Sequence, residues 1–195
     1  MKKRLFIIIF IIFCILQLSL PGYMILKTYV NLASGKAVKL ECALIDPYDF
    51  MKGRYINLHY VIRDVSADVF PDRGRIKNNS DVFCLLEEIN GYHRIKSVIM
   101  NKPGKKELFI KARIESYYDK NSKIFLEFDF DRYYMQEDLA PLADKIFARG
   151  SFEKLKPAVL LSVDDGGEAV IKKLFINKDG MENDIETFIR QEFVK

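Results

Sequence analysis

The most informative stretch of this chain is Asp-Pro-Tyr-Asp-Phe-Met-Lys-Gly-Arg-Tyr-Ile-Asn-Leu-His-Tyr, residues 46–60. Pro47 fixes its own φ and biases Asp46 toward extended backbone, so a strand is expected to end just before this pair. Asp49 favours a turn, and Gly53 allows the backbone to restart as a strand. Beyond the glycine, apolar residues fall at every second position, which predicts a strand with one buried face.

This stretch also holds the densest group of polar side chains in the sequence. One interpretation is a charged turn in which aspartates and basic residues pair with each other and organise the loop. The other is a recognition loop, because a rigid loop that presents charges and tyrosines is a suitable binding surface. Both interpretations give the same candidate interaction or loop-organising residues: Asp46, Asp49, Lys52, Gly53, Arg54, Tyr55, Leu58 and Tyr60.

Residues 53–60 resemble the Gly-Asp-Tyr-x-x-Leu-x-Tyr signature of the GDYXXLXY family of bacterial membrane-anchored proteins. Gly53, Tyr55, Leu58 and Tyr60 match the signature, whereas Arg54 stands where the family has Asp. Residues 46–52 are similar to the family's Asp-Pro-x-Asp-x-x-Arg run, with Lys at the last position. Weaker matches are Pro21 to Ile25, Gly35 and the Tyr-Met-x-Glu run at 134–137. The resemblance implies an anchored extracytoplasmic domain, and no role that needs a carboxylate at Arg54 carries over.

The N-terminal region has the pattern of a membrane anchor. Residues 1–4 form a cationic tip, and residues 5–26 contain no charged side chain. As a helix, residues 5–26 would cover about 33 Å, enough for the hydrocarbon core of a bilayer, which is about 30 Å thick. Residues 27–195 would then form the attached domain.

A cleaved signal peptide is the competing interpretation of this region. Its apolar segment is shorter and precedes small residues at a cleavage site, whereas here the apolar run continues to Leu26 without an Ala-x-Ala pattern. A retained single span in the cytoplasmic membrane is therefore favoured. Lys2, Lys3 and Arg4 should stay on the cytoplasmic side, which places the C-terminal domain outside the cytoplasm.

The net charge of +4 comes mostly from the cationic tip. Without those three residues, 28 basic side chains face 27 acidic ones, a net charge of +1. A domain with so little excess charge lacks the basic surface that nucleic-acid binding requires, so no nucleic-acid partner is expected.

The strand that begins at Gly53 is expected to continue to Arg63, and a polar loop is expected at residues 64–80. The remainder of the sequence reads as short strands joined by turns. Three hairpins are predicted around Asn90-Gly91, around residues 119–122 and around residues 164–167. Helical spacing appears at 136–147 and at 184–193. The predicted fold class is a mainly β domain of antiparallel hairpins with one or two short helices, preceded by one transmembrane helix. Two halves with a break near 148–156 are an open alternative.

Catalytic and metal-binding templates are missing from this sequence. Its two histidines, His59 and His93, have no cysteine or carboxylate at zinc-ligand spacing, and solvent-facing strand positions are expected for them. A signal-peptidase-like Ser-Lys dyad would need a nucleophile shortly before Gly53, and residues 45–52 contain no Ser, Thr or Cys. No catalytic residue, metal ligand or cofactor is predicted. The Tyr133-Tyr134 pair is interpreted as a sheet face rather than a ligand cage.

Three cysteines are present, and Cys14 lies inside the apolar run. Cys42 and Cys84 fall on the apolar phase of predicted strands, where unpaired thiols behave as small buried hydrophobes. A Cys42–Cys84 disulfide is the alternative in an oxidising compartment, and sequence does not fix the geometry it needs.

These features predict a non-enzymatic interaction or accessory protein tethered in the bacterial envelope, working with another envelope or membrane protein. Two other classes of function stay open. A small-anion-binding or sensor domain would use Lys52, Arg54 and Arg73. An envelope hydrolase would require a nucleophile that no motif reveals.

Overall fold

The computed structural model describes residues 2–45, 55–71, 76–104, 106–118, 122–136, 139, 142, 156–178 and 181–193. Two α-helices lie near the two ends of the chain, α1 (Lys2–Ser34) and α2 (Ile185–Phe193). Between them are eleven described strands: β1 (Lys36–Ile45), β2 (Tyr55–Tyr60), β3 (Asp64–Ser66), β4 (Asp81–Ile89), β5 (Tyr92–Ile99), β6 (Phe109–Tyr118), β7 (Lys123–Glu127), β8 (Arg132–Tyr134), β9 (Ala158–Val163), β10 (Ala169–Lys178) and β11 (Met181–Asp184).

The strands form two sheets in which every described pairing is antiparallel. The six-stranded sheet has the order β11-β10-β9-β1-β2-β8, and the five-stranded sheet has the order β3-β7-β6-β4-β5. Apolar side chains from both sheets pack into one core. The predicted fold class, a mainly β domain preceded by one long apolar helix, is confirmed.

All three predicted hairpins are present. The β4–β5 hairpin turns at Asn90 and Gly91, which both have positive φ (54° and 80°), as a type I′ turn requires. The β6–β7 hairpin spans residues 119–121, which lie outside the described residues. The β9–β10 hairpin turns at residues 164–168, where the Asp164 carboxylate accepts hydrogen bonds from the N–H groups of Gly166 and Glu168, both at 2.8 Å.

The segment after the signature strand differs from its prediction. The strand was expected to run to Arg63, but β2 ends at Tyr60 and a short 3₁₀ turn covers Val61–Arg63. Residues 64–80 were expected to form a polar loop, yet β3 and a second 3₁₀ turn lie within that range. Buried Ala67 and Phe70 account for the difference, because their apolar side chains draw this segment onto the core.

Helix α1 continues beyond the predicted anchor at 5–26 and ends at Ser34. Residues 3–34 are long and apolar enough to cross a membrane. Helix α2 confirms the C-terminal helical spacing, with Ile185, Phe188 and Ile189 buried. The helix predicted at 136–147 falls mostly outside the described residues. The two-halves interpretation stays untested, although β1 and β9, from either side of residues 148–156, are direct neighbours in one sheet.

Both cysteines of the β domain are buried and free. Cys84 is fully buried and Cys42 is 6% exposed. Burial raises the pKa of the Cys42 thiol to about 12 and raises the pKa of the Cys84 thiol as well. These thiols therefore stay protonated at neutral pH and pack as small apolar side chains.

The two sheets meet where β5 reaches the first half of β1. The Cys42 N–H donates to Pro157 on the β9 side, so the Lys39 N–H, three residues earlier, points to the opposite side of the strand. Strand β1 pairs with β2 only from Cys42 onward, so β2 provides no acceptor for the Lys39 N–H. The Lys39 N–H donates to Nδ1 of His93 at 3.2 Å. An ion pair between Arg94 and Glu41, at 3.0 Å, lies beside this bond.

Replacing His93 by Ala should lower the free energy of unfolding of the β domain by about 1 kcal/mol, because the Lys39 N–H loses its acceptor. His93→Asn is the matched control, since its Oδ1 occupies the same position along the side chain as Nδ1. Urea denaturation in detergent measures both variants. Equal losses in the two variants would show that the hydrogen bond contributes nothing.

The buried thiols should be unreactive in the folded protein. In a Cys14→Ser background, labelling of Cys42 and Cys84 by a thiol reagent at pH 8 should be at least ~100-fold slower than in urea, because only the exposed thiolate reacts. Mass spectrometry of the time course measures the rates. Rapid labelling without urea would show that these strands open readily.

Candidate functional site

The structure describes three of the eight candidate site residues. Tyr55, Leu58 and Tyr60 lie on β2, whereas Asp46, Asp49, Lys52, Gly53 and Arg54 lie outside the described residues. The site proposed from the sequence is therefore seen from one side only, along the strand that leaves the signature loop. Their interaction role stays a prediction.

Leu58 and Tyr60 have structural positions. Both side chains are buried, at 4% and 2% exposure, on the face of β2 that the alternating pattern predicted. The Tyr60 hydroxyl donates a 2.6 Å hydrogen bond to the Phe130 carbonyl, and its ring meets those of Phe128 and Phe130 edge-on. Burial raises the pKa of Tyr60, so its hydroxyl remains a donor. These residues fasten β2 to the segment that leads into β8.

Tyr55 lies on the other face of β2 and is half-buried. It pairs directly with Tyr134 across the β2–β8 ladder, and their ring centroids are 5.8 Å apart. The Arg132 guanidinium lies over the Tyr55 ring, 5.3 Å from its centroid. We call Tyr55, Arg132 and Tyr134 the signature edge. They lie together on β2 and the outer strand β8, where the signature strand begins.

The signature edge faces solvent. The Tyr134 side chain is 63% exposed and that of Arg132 is 44% exposed. A hydrogen bond with Tyr134 and the neighbouring Asp131 raise the pKa of Arg132, so the guanidinium is fixed as a cation beside the two rings. The guanidinium lies over the Tyr55 ring and also pairs with Asp131 at 3.8 Å. Such an exposed tyrosine–arginine group suits contact with a protein surface, because Tyr and Arg are enriched at binding hot spots.

Helix α2 supports the opposite face of β8. The Tyr133 hydroxyl donates to the Glu186 carboxylate at 3.3 Å, and the Arg190 guanidinium donates to the Gln136 side-chain oxygen at 2.9 Å. Burial and the Glu186 carboxylate raise the pKa of Tyr133, which keeps this hydroxyl protonated. The three-residue strand β8 is therefore held in place from two sides, by β2 and by α2.

Within the described residues, no group of three or more His, Cys, Asp and Glu side chains is arranged to hold a metal ion. Neither described thiol of the β domain is a nucleophile at neutral pH, because burial keeps both protonated. Among these residues, the chemistry that the signature edge offers is contact through rings and a cation rather than bond-making.

Sequence reasoning did not place Arg132 at the site. The β2–β8 pairing joins residues more than 70 positions apart, and no local pattern announces such a pair. The only sequence hint at this strand was the Tyr-Met-x-Glu run that begins at Tyr134. Tyr133 and Tyr134 were interpreted as a sheet face. They lie on opposite faces of β8: Tyr134 is on the same face as Tyr55, and Tyr133 faces α2.

The fold and the site together define a class: an antiparallel β domain joined to a long apolar helix, with an exposed tyrosine–arginine edge beside its signature strand. A family model described as GDYXXLXY protein matches residues 17–174, which is most of the chain. The chain belongs to the GDYXXLXY family. No curated protein and no solved structure matches the chain.

Tyr60→Phe should lower the free energy of unfolding by about 1–2 kcal/mol, because the buried Phe130 carbonyl would lose its donor. Tyr134→Phe removes the same atom from an exposed ring and serves as the matched control, with an expected change below about 0.5 kcal/mol. Denaturant titrations of both variants give the comparison. Equal effects would mean that burial of the Tyr60 hydrogen bond is not what stabilises this corner.

Proposed function

We propose that this protein is a non-enzymatic interaction or accessory protein of the bacterial envelope, held by one membrane-spanning helix and contacting another envelope or membrane protein through the signature edge. The observation that carries the proposal is the exposed Tyr134–Tyr55–Arg132 cluster, at the start of the strand that bears the family signature.

The proposed location rests on the distribution of charge along α1. Lys2, Lys3 and Arg4 precede the uncharged run and should remain in the cytoplasm, which sends the β domain across the membrane. The described side chains from Leu5 to Leu26 have no packing partner in the domain, as suits a helix surrounded by lipid. This exposure supports residues 5–26 of α1 as an anchor outside the folded core, whereas the end of the helix packs on the domain.

The proposed contact surface rests on the rigidity of the signature edge. Tyr55 and Tyr134 are fixed by backbone pairing, and β8 is also held by α2. Contact residues that are already ordered lose little conformational entropy on binding. The candidate residues Lys52 and Arg54 precede Tyr55 in the chain, and the proposal keeps them as contact residues.

A small-anion-binding or sensor domain is the second candidate function, and the exposed Arg132 guanidinium at the sheet edge is the observation that favours it. In this case phosphate or sulfate at millimolar concentration should raise the melting temperature of the wild type and not of Arg132→Gln. An envelope hydrolase would instead be revealed by labelling with serine- or thiol-directed activity probes.

Charge reversal at the signature edge tests the proposed function. A photo-crosslinking amino acid at Asn57, which pairs with Arg132 on the neighbouring strand, should capture one protein from intact membranes. Adding Arg132→Glu, or Lys52→Glu with Arg54→Glu, should reduce that adduct at least tenfold, because the surface loses its cations. The melting temperature of the β domain should not change, since these side chains contribute little to the core.

Arg113→Glu is the matched control for the reversal. Arg113 is similarly exposed but lies on β6 of the other sheet, where it pairs with Asp81 at 3.3 Å. The adduct should survive this change. Loss of the adduct in Arg113→Glu, or its survival in Arg132→Glu and in the double reversal, would contradict the assignment of the signature edge.

A further inference from the structure

The last turns of α1 dock directly onto the β9–β10 hairpin. Asn31 is 5% exposed, and its side-chain N–H donates to the Glu168 carbonyl at 2.8 Å. Its own backbone carbonyl accepts from the Ser162 hydroxyl at 2.6 Å and from the Gly35 N–H at 2.8 Å. One of the last carbonyls of the helix is thus hydrogen-bonded to the domain.

Gly35 is the single residue between α1 and β1, so no linker separates the helix from the strand. A Cβ atom at this position would lie 2.4 Å from the Ser162 hydroxyl and 2.6 Å from the Asn31 carbonyl oxygen. Only glycine allows so close an approach of helix, strand and hairpin. A larger side chain at this position would therefore push the helix, the strand and the hairpin apart.

Charges outside this contact add a second link. Lys27 on α1 pairs with the Glu168 carboxylate, which Lys111 of β6 also approaches at 3.3 Å. The ion pair with Lys27, followed by that with Lys111, lowers the pKa of Glu168, so its carboxylate is charged at neutral pH. We call Lys27, Asn31, Gly35, Ser162 and Glu168 the anchor junction.

The position of the anchor junction along α1 determines its distance from the hydrocarbon core of the bilayer. The uncharged run ends at Leu26, and Lys27 to Ser34 extends about 12 Å beyond it at 1.5 Å per residue. The headgroup layer on one side of a bilayer is about 5–8 Å thick. Glu168 contacts α1 at Lys27 and Asn31, within that layer or directly above it.

We propose that the Asp164–Glu168 turn faces the lipid headgroups as part of one rigid body with α1, and that the signature edge is held at the opposite, solvent-facing end of β1. This rests on the proposed function in one respect, namely that α1 spans the bilayer. The Lys27, Lys36 and Lys111 side chains around the turn are all about half exposed. They pair with Glu168 and Asp165, and the remaining N–H donors of each ammonium group can contact phosphate headgroups.

The distance between the two ends follows from strand geometry. Lys36 pairs with Val163 beside the turn, and Ile45, nine residues along β1, pairs with Asn57. Tyr55 lies two residues farther along the ladder. At about 3.3 Å per residue, the signature edge is about 36 Å from the junction end of β1. In the proposed orientation, with β1 directed away from the bilayer, a partner would meet the signature edge above the headgroup layer.

Energy transfer to labelled lipid tests this orientation. The full chain, with Cys14 replaced by Ser, is reconstituted into vesicles of phosphatidylethanolamine and phosphatidylglycerol that carry a headgroup acceptor dye. A donor dye is attached at Asp165→Cys in the turn or at Ala43→Cys near the far end of β1, both exposed positions. Transfer from position 165 should be severalfold more efficient than transfer from position 43 at every acceptor density.

The possible results separate the two proposals. Equal transfer from both positions, or stronger transfer from position 43, overturns the orientation. Carbonate extraction of the same vesicles reports on the anchor itself: release of the chain from the membrane would overturn the proposed anchoring, whereas retention with equal transfer would overturn only the orientation.

Two junction variants test the rigid body. Gly35→Val forces the contact apart, and Asn31→Ala with Glu168→Ala removes its polar links without adding bulk. Time-resolved transfer should show a broadened distance distribution in both, with the melting temperature of the β domain reported alongside. Gly22→Ala is the control, because a Cβ there meets nothing within 4 Å. Distributions as narrow as wild type in a folded double variant would overturn the rigid coupling.

Discussion

The divided pairing of β1 is the constraint on which the rest of this structure depends. Residues Lys36 to Glu41 are hydrogen-bonded to β9, and Cys42 to Ile45 are paired with β2. The first half of the strand therefore carries the hairpin that contacts α1, and the second half carries the signature strand. On the side that β2 leaves open, His93 brings the second sheet against the same strand. One ten-residue segment thus connects α1, both sheets and the signature edge.

The signature letters divide into two physical kinds. Leu58 and Tyr60 are buried, and the Tyr60 hydroxyl donates a hydrogen bond to the Phe130 carbonyl, in the segment that leads into β8. Tyr55 points to the other face and forms part of the exposed edge. A motif that looks like a single site is in this chain partly a folding requirement and partly a surface. The described part of the signature therefore has a structural role and a surface role within the same strand.

Local patterns were sufficient for much of the fold. Asn90-Gly91 predicted its hairpin because positive φ at both residues is a property of the dipeptide itself. Period-two alternation predicted the buried face of β2, and spacing at Ile185, Phe188 and Ile189 predicted α2. Features that depend on distant partners could not be read in this way. The β1–β9 and β2–β8 ladders join segments more than 70 residues apart, and Arg132 has no local feature that links it to Tyr55. The extension of α1 to Ser34 likewise depends on Asn31 meeting a hairpin far along the chain.

Most outer strands of the described sheets are short, and this has a consequence for copies of the protein at high local concentration. β3 and β8 have three residues each and β11 has four, so each exposes only a few unpaired N–H and C=O groups. The longest outer strand among those described, β5, has the start of its edge occupied by β1 through His93 and Arg94. Neighbouring copies thus find little backbone on which to add a strand, and this geometry protects the domain against sheet-to-sheet polymerisation.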